Sequence, residues 1–205
     1  MARRRRPRAV EGAVLWPGAG SASDHPGLIA IGDALGGASP RVPVARVDFP
    51  YRREGRRAPD RAPKLMASVR EEVALVCESW GTSSEHLVLG GRSMGGRIAS
   101  MVAAGADEEP ALPVAGLVLM SYPLHPPGKP ERLRTGHLSG IRVPVLFISG
   151  DRDTFGTPDE LAEAQALIPG PVTSVTIPGA GHDLKGVDGD VVAAICDWMR
   201  ITPPG

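Results

Sequence analysis

The sequence predicts an α/β fold, a doubly wound and mainly parallel sheet of six strands with helices on both faces. Three observations carry this. Strand-like and helix-like segments alternate along the chain, with no repeat and no linker long enough to split it. The strand-like runs are almost continuously apolar, as in parallel strands buried on both faces. The Gly-rich, chemically suggestive loops all follow strands, and in such sheets functional groups gather at the strands' carboxyl ends. Right-handed crossovers then restrict the topology to a doubly wound sandwich.

The elements follow in order. Residues 13–16 form a first strand, closed by Pro17-Gly18-Ala19-Gly20. A helix begins at Leu28-Ile29-Ala30-Ile31 and ends near Gly36-Gly37. Residues 42–49 read as a second strand ending at Pro50. Within 62–80, Leu65, Val69, Val73, Val76 and Trp80 step by three and four and so mark one face of an amphipathic helix. Residues 87–89 are a third strand, followed by a Gly-rich turn and a helix. Residues 114–120 and 143–148 are the fourth and fifth strands. Leu161, Ala164 and Ile168 mark a helix running to Pro169-Gly170. Residues 172–177 are the sixth strand, and Val191, Val192, Ile195, Trp198 and Met199 line the last helix.

With 205 residues the chain can bury one full core, so residues 10–205 are expected to form one domain. The formal net charge of zero hides an asymmetry. Arg3, Arg4, Arg5, Arg6 and Arg8 fall in residues 1–9, which read as a basic, disordered tail. Setting these five aside leaves 18 basic residues against 23 acidic ones, so the remainder is mildly acidic. No aromatic-studded basic face supports the tail, and no nucleic-acid partner is expected. A second cluster, Arg52, Arg53, Arg56, Arg57 and Arg61, is diluted by Glu54 and Asp60 and reads as a solvated face near the site mouth. No apolar run approaches the ~20 residues that span a bilayer, and the amino terminus lacks the apolar region of a secretory signal. Cys77 and Cys196 sit in apolar helical patterns and read as buried free thiols of a cytoplasmic protein. Neither suggests a metal site, and no cofactor is called for. Oligomeric state is not legible.

Chemistry enters at Leu87-Val88-Leu89-Gly90-Gly91-Arg92-Ser93-Met94-Gly95-Gly96. A buried strand, then Gly-x-Ser-x-Gly, then a helix is the context of a nucleophile elbow. The sharp turn lifts the Ser93 hydroxyl off the sheet edge and leaves the Met94 N–H free at a helix N-terminus. A serine needs an adjacent base, and the base needs a carboxylate to fix its tautomer. Of the five histidines, His182 is best placed, in a Gly-rich loop between the sixth strand and the last helix. His86 precedes the third strand, at the wrong end of the sheet. His25 and His137 read as helix-end or loop residues. Asp151 and Asp153 both follow the fifth strand. Asp153 is the better candidate, three residues beyond Gly150, whereas Asp151 suits a turn cap or a pairing with Arg152. The order Ser93, Asp153, His182 is that of one serine-hydrolase type and not of the others.

An oxyanion hole needs two donors. Met94 N–H is one. Ala19 N–H, in the loop after the first strand, is the other, with Gly20 beside it. That loop is not a dinucleotide fingerprint, because Gly18-Ala19-Gly20-Ser21-Ala22-Ser23 lacks the third glycine. Candidates for substrate contact are Gly20, Arg92, Tyr122 and His125. Arg92 adjoins the nucleophile and suits a carboxylate, although a structural salt bridge is the commoner fate. His125 lies at the correct sheet edge, with surface exposure as the alternative.

End to end, the chain resembles the α/β-hydrolases, and within them the small dienelactone-hydrolase-like branch. Gly90-Gly91-Arg92-Ser93-Met94-Gly95-Gly96-Arg97, Ser121-Tyr122-Pro123-Leu124-His125 and Gly150-Asp151-Arg152-Asp153-Thr154-Phe155-Gly156 look like the testis-expressed-type hydrolases. The resemblance implies a Ser93–Asp153–His182 triad and little about substrate, and some larger relatives look like scaffold subunits. Dienelactone enzymes use a cysteine nucleophile where this chain has Ser93, so their specificity does not carry over. The two leading strands of the larger fold are missing. Residues 121–142 are short and rich in Pro and Gly, leaving no room for a helical lid. The expectation is a minimal, lidless hydrolase with an open cleft, cleaving a small carboxylic ester through an acyl-enzyme. Acyl transfer or perhydrolysis on the same triad, or a non-catalytic binding scaffold, are the alternatives.

Overall fold

The computed structural model describes residues 10–201. The Arg-rich segment 1–9, read above as a tail, lies outside them. Six strands form one sheet in the order β2-β1-β3-β4-β5-β6, every neighbouring pair parallel. They are β1 Gly12–Trp16, β2 Val44–Arg46, β3 Leu87–Arg92, β4 Gly116–Met120, β5 Val145–Gly150 and β6 Val172–Ile177. The helices are α1 Pro26–Gly37, α2 Pro50–Arg53, α3 Ala62–Trp80, α4 Met94–Ala103, α5 Pro158–Gln165 and α6 Asp188–Met199.

Side chains alternate across the sheet, and so split the core in two. Val14, Trp16, Leu89, Leu117, Leu119 and Phe147 face one layer, with α3, α4 and α5 over them. Ala13, Leu15, Val88, Val118, Leu146 and Ile148 face the other, under α1 and α6. Both sides of the four central strands are thus buried, which is why β1, β3, β4 and β5 read as apolar runs, whereas the edge strands β2 and β6 are partly exposed.

Local signals set the helix ends. Pro63 opens α3, and Gly81 closes it in the left-handed conformation at φ 65°. Thr157 and Glu160 form a reciprocal capping box at the start of α5. His25 caps α1, its Nδ1 accepting from the Gly27 N–H at 3.1 Å.

Departures from expectation include two element boundaries and the burial of one thiol. The second strand is Val44–Arg46 and not residues 42–49, because this edge strand pairs with β1 over three residues only. Helix α5 ends at Gln165, and the chain reaches Ile168 through tight turns, Leu167 N–H to Ala164 and Ile168 N–H to Gln165. Cys196 is buried as expected, but Cys77 is only half-buried; both thiols are free.

The order of strands reverses beside β1: the chain moves outward to β2, then returns to β3 on the other side. The crevice at the carboxyl ends of β1 and β3 is the topological switch point, where open α/β sheets place their ligands.

Candidate active site

Ser93 sits between β3 and α4 with φ 48° and ψ −114°, a strained conformation for a residue with a side chain. Neighbours hold it there. Its N–H donates to the Met120 carbonyl at 2.8 Å, and its own carbonyl accepts from the Arg97 N–H at 3.0 Å. The turn is possible because two flanking residues lack a Cβ. A Cβ on Gly91 would lie 2.0 Å from the Trp16 carbonyl oxygen, and one on Gly95 would lie 2.3 Å from the same atom. Strand β1 and the elbow therefore approach more closely than any other residue type allows.

His182 reaches the serine from the loop after β6. Its Nε2 lies 2.9 Å from Ser93 Oγ, and its Nδ1 lies 2.9 and 2.8 Å from the two carboxylate oxygens of Asp153. With Nδ1 as the protonated nitrogen facing the carboxylate, Nε2 is free to accept from the serine hydroxyl. Asp153 is 3% exposed, so its charge acts in a largely dry setting. Its Oδ1 also accepts from the Phe155 N–H at 2.8 Å. The Phe155 ring stacks on the imidazole with centroids 3.9 Å apart. The histidine is thus fixed by its carboxylate and by an aromatic face. Asp151 is turned away: its Oδ1 accepts from the Gly179 N–H at 2.7 Å, tying the acid's loop to the histidine's loop.

Met94 is the first residue of α4, so its N–H has no partner within the helix. Ala19 and Gly20 line the same cleft, across from the serine, in the loop after β1. Tyr51, fully buried, donates its hydroxyl to the Ala19 carbonyl at 3.0 Å and fixes that loop. Sequence reading passed over Tyr51, which looks like any other core aromatic. The cleft has a volume of about 510 Å³. The connection between β4 and β5 forms one short 3₁₀ turn, Leu138–Gly140, and so supplies no helical lid.

Two expected substrate contacts are corrected. Tyr122 does not line the cleft. Its ring packs edge-on against Phe147 in the core, and its hydroxyl donates to the Arg134 carbonyl at 2.6 Å. Burial raises its phenol well above the ordinary range. His125 is also absent from the cleft wall and is neither exposed nor free. It is 5% exposed, with Nδ1 2.9 Å from the Pro126 carbonyl and Nε2 3.4 Å from Glu160. The Pro126 carbonyl and, to a lesser degree, Glu160 raise its pKa, against the effect of burial.

Arg92 does line the cleft, but its guanidinium lies against the His25 ring and donates to the Asp183 carbonyl. Burial lowers the His25 pKa, and the Arg92 charge lowers it further. The arginines at 52–61 stay off the cleft; Arg53 pairs with Glu72, and Arg56 with Glu54 and Asp60.

A serine on a strained strand-to-helix turn, with a histidine and a buried aspartate from later loops of a parallel sheet, is the arrangement of the α/β-hydrolase class. The chain belongs to that class: residues 11–191 match the alpha/beta hydrolase domain family. Solved structures share the fold at low identity. Est1E from Butyrivibrio proteoclasticus, solved with ferulic acid bound, is 16% identical with a TM-score of 0.74, over 94% of this chain and 89% of that one. An α/β serine hydrolase homologue from Coxiella burnetii is 18% identical with a TM-score of 0.72, over 94% and 88%. Dienelactone hydrolase from Anabaena variabilis is 19% identical with a TM-score of 0.70, over 95% and 88%. Among the described residues, no helix is long and apolar enough to cross a membrane.

Proposed function

We propose that this protein is a serine hydrolase that cleaves a small carboxylic ester. The observation that carries the reading is the hydrogen-bonded series Ser93–His182–Asp153, with both links at 2.8–2.9 Å. Ser93 Oγ attacks the ester carbonyl as His182 Nε2 takes its proton. The carbonyl oxygen becomes an oxyanion and meets the N–H groups of Met94 and Ala19. His182 then gives the proton to the departing alkoxide, and the C–O bond breaks to leave an acyl-Ser93. Water attacks this acyl group with His182 again as base, the acid leaves, and Ser93 is restored. Asp153 stays ionised throughout and holds the imidazole in the productive tautomer.

The open cleft suits a short or exposed acyl group, since a long lipid chain would lack apolar cover. Two unpaired cysteines fit a reducing, cytoplasmic setting. The reading is tested by labelling with a fluorophosphonate and mapping the modified residue. Stoichiometric modification of Ser93, lost in His182→Ala, is expected. A folded protein that takes up no label, or takes it elsewhere, overturns it.

A further inference from the structure

The cleft that holds Ser93 is walled by three arginines, Arg92, Arg97 and Arg134. They differ in what they already do. Arg92 is spent on the Asp183 carbonyl and on His25, and it faces the charges of Asp183 and Asp188. Arg134 donates from Nη1 to the Pro123 carbonyl at 3.1 Å, leaving most of its five N–H donors unused. Arg97 stands one helical turn after Ser93 on α4. Its Nε is buried with no hydrogen-bond partner, and among the described residues its guanidinium makes no hydrogen bond or ion pair.

This is a costly arrangement for a folded protein. A buried donor left unpaired costs roughly 1–3 kcal/mol, and more when charged. Arg97 also sits close enough to Arg134 to be felt there. Burial, and then the Arg97 charge, hold the Arg134 guanidinium below its ordinary pKa. Among the described residues, Asp183 is the one acidic residue on the cleft wall, and its charge acts on Arg92. Arg97 and Arg134 are shared with an adjoining groove of about 540 Å³ that also touches Met101, Gly136 and His137. The pair therefore stands where the cleft opens into further space, and among the described residues no carboxylate is hydrogen-bonded or ion-paired to either guanidinium.

We propose that Arg97 and Arg134 form an anion subsite beside Ser93, and that the ester cleaved here carries a second, ionised oxyanion group, a carboxylate or a phosphate. The substrate part of this inference rests on the serine-hydrolase reading above. A planar oxyanion accepts the paired N–H groups of a guanidinium fork, and two such forks together set its position. Binding supplies the partner that Arg97 Nε lacks and relieves the repulsion between the two cations. It also fixes which end of the ester lies toward the groove.

Two measurements test it. The first compares kcat/KM for para-nitrophenyl hemisuccinate and para-nitrophenyl butyrate, which differ in a terminal carboxylate. The hemisuccinate is expected to be favoured by about tenfold or more, the worth of one charge-assisted hydrogen bond. That preference is expected to collapse in Arg97→Gln and Arg134→Gln, to be kept only in part in Arg97→Lys, whose point charge lacks the paired donors, and to persist in the exposed control Arg41→Gln. The second is calorimetric titration of the folded proteins with succinate and with inorganic phosphate, which separates the two anions without turnover. Binding of at least one that weakens in Arg97→Gln supports the subsite. Equal turnover of both esters with no Arg97-dependent binding overturns it and leaves the hydrolase reading intact. If neither ester is cleaved, Arg97-dependent anion binding keeps the subsite and removes the ester from the proposal, whereas no binding removes both.

Discussion

The Tyr51 hydroxyl donates to the Ala19 carbonyl across 3.0 Å, joining residues 32 positions apart. The bond ties the loop after β1 to the start of α2 and so holds Ala19, the residue whose N–H we propose as an oxyanion donor. Donors of an oxyanion hole work because they are held in place before charge develops. Tyr51→Phe keeps the ring in the core and removes only this anchor. Turnover of a neutral ester is expected to fall roughly tenfold in kcat, less than the loss of an oxyanion donor itself. KM should change little, because the loss is felt in the transition state. Loss of stability should stay near 1 kcal/mol, the net worth of one hydrogen bond. Steady-state kinetics with denaturant melts checks both; an unchanged kcat removes Tyr51 from the positioning machinery.

Gly91 sets the approach of β1 to the elbow. A methyl there meets the Trp16 carbonyl oxygen at 2.0 Å, at a backbone φ of 149°. Gly91→Ala is expected to destabilise the fold by at least about 3 kcal/mol, because backbone must move on both strands. Urea unfolding measures this directly. A loss below about 1 kcal/mol shows that the strands can separate at little cost.

Much of this was legible in the sequence for a physical reason. Ser93 with its glycines, Asp153 after Gly150 and His182 after Gly181 each carry a local signature, because a sharp turn at a strand end needs particular residues within a few positions. The parallel sheet brings those ends together without further instruction. Side-chain direction was less legible. Tyr122 and His125 follow β4 at the correct edge, yet one turns into the core toward Arg134 and the other toward Pro126. Nothing in their spacing decides that. Tyr51 was hidden because its contribution is one long-range hydrogen bond. Arg97 was readable in part, since four residues after Ser93 on a helix puts it on the same face. Arg134 sits in an irregular loop with no periodicity to place it.

His137 provides a pH signature. Its Nε2 is 2.8 Å from Ser100 Oγ, which itself donates to the Arg97 carbonyl at 2.7 Å. The hydroxyl proton is thus used, and His137 must be the donor from Nε2 as a neutral ring. Burial, and then the nearby Arg97 charge, lower its pKa from 6.5 to about 4. Between those values the unfolded chain binds a proton that the folded chain refuses. Stability is therefore full above about pH 6.5 and falls as pH drops toward 4, by up to about 3 kcal/mol. In His137→Gln that part of the slope should vanish, whatever the variant's stability at neutral pH. Urea melts at several pH values measure it, and parallel slopes in the two proteins would show that other groups carry the acid sensitivity.

Ser93 holds an unfavourable backbone conformation, and its proposed task as nucleophile is the reason to keep it there. At φ 48° and ψ −114° any residue with a Cβ is strained. Ser93→Ala and Ser93→Gly both remove the hydroxyl, so both should lower ester turnover by at least about a thousandfold. They differ in the backbone. Alanine keeps the strain, whereas glycine releases it at the cost of extra freedom in the unfolded chain. The two effects oppose, and the strain, at roughly 1–3 kcal/mol, is the larger. Ser93→Gly should accordingly be more stable than Ser93→Ala by about 1 kcal/mol, read from paired denaturant melts. A glycine variant no more stable than the alanine variant would mean that the elbow relaxes once the hydroxyl is gone. The strain would then come from the Ser93–His182 hydrogen bond and not from the close packing of Gly91 and Gly95 against β1.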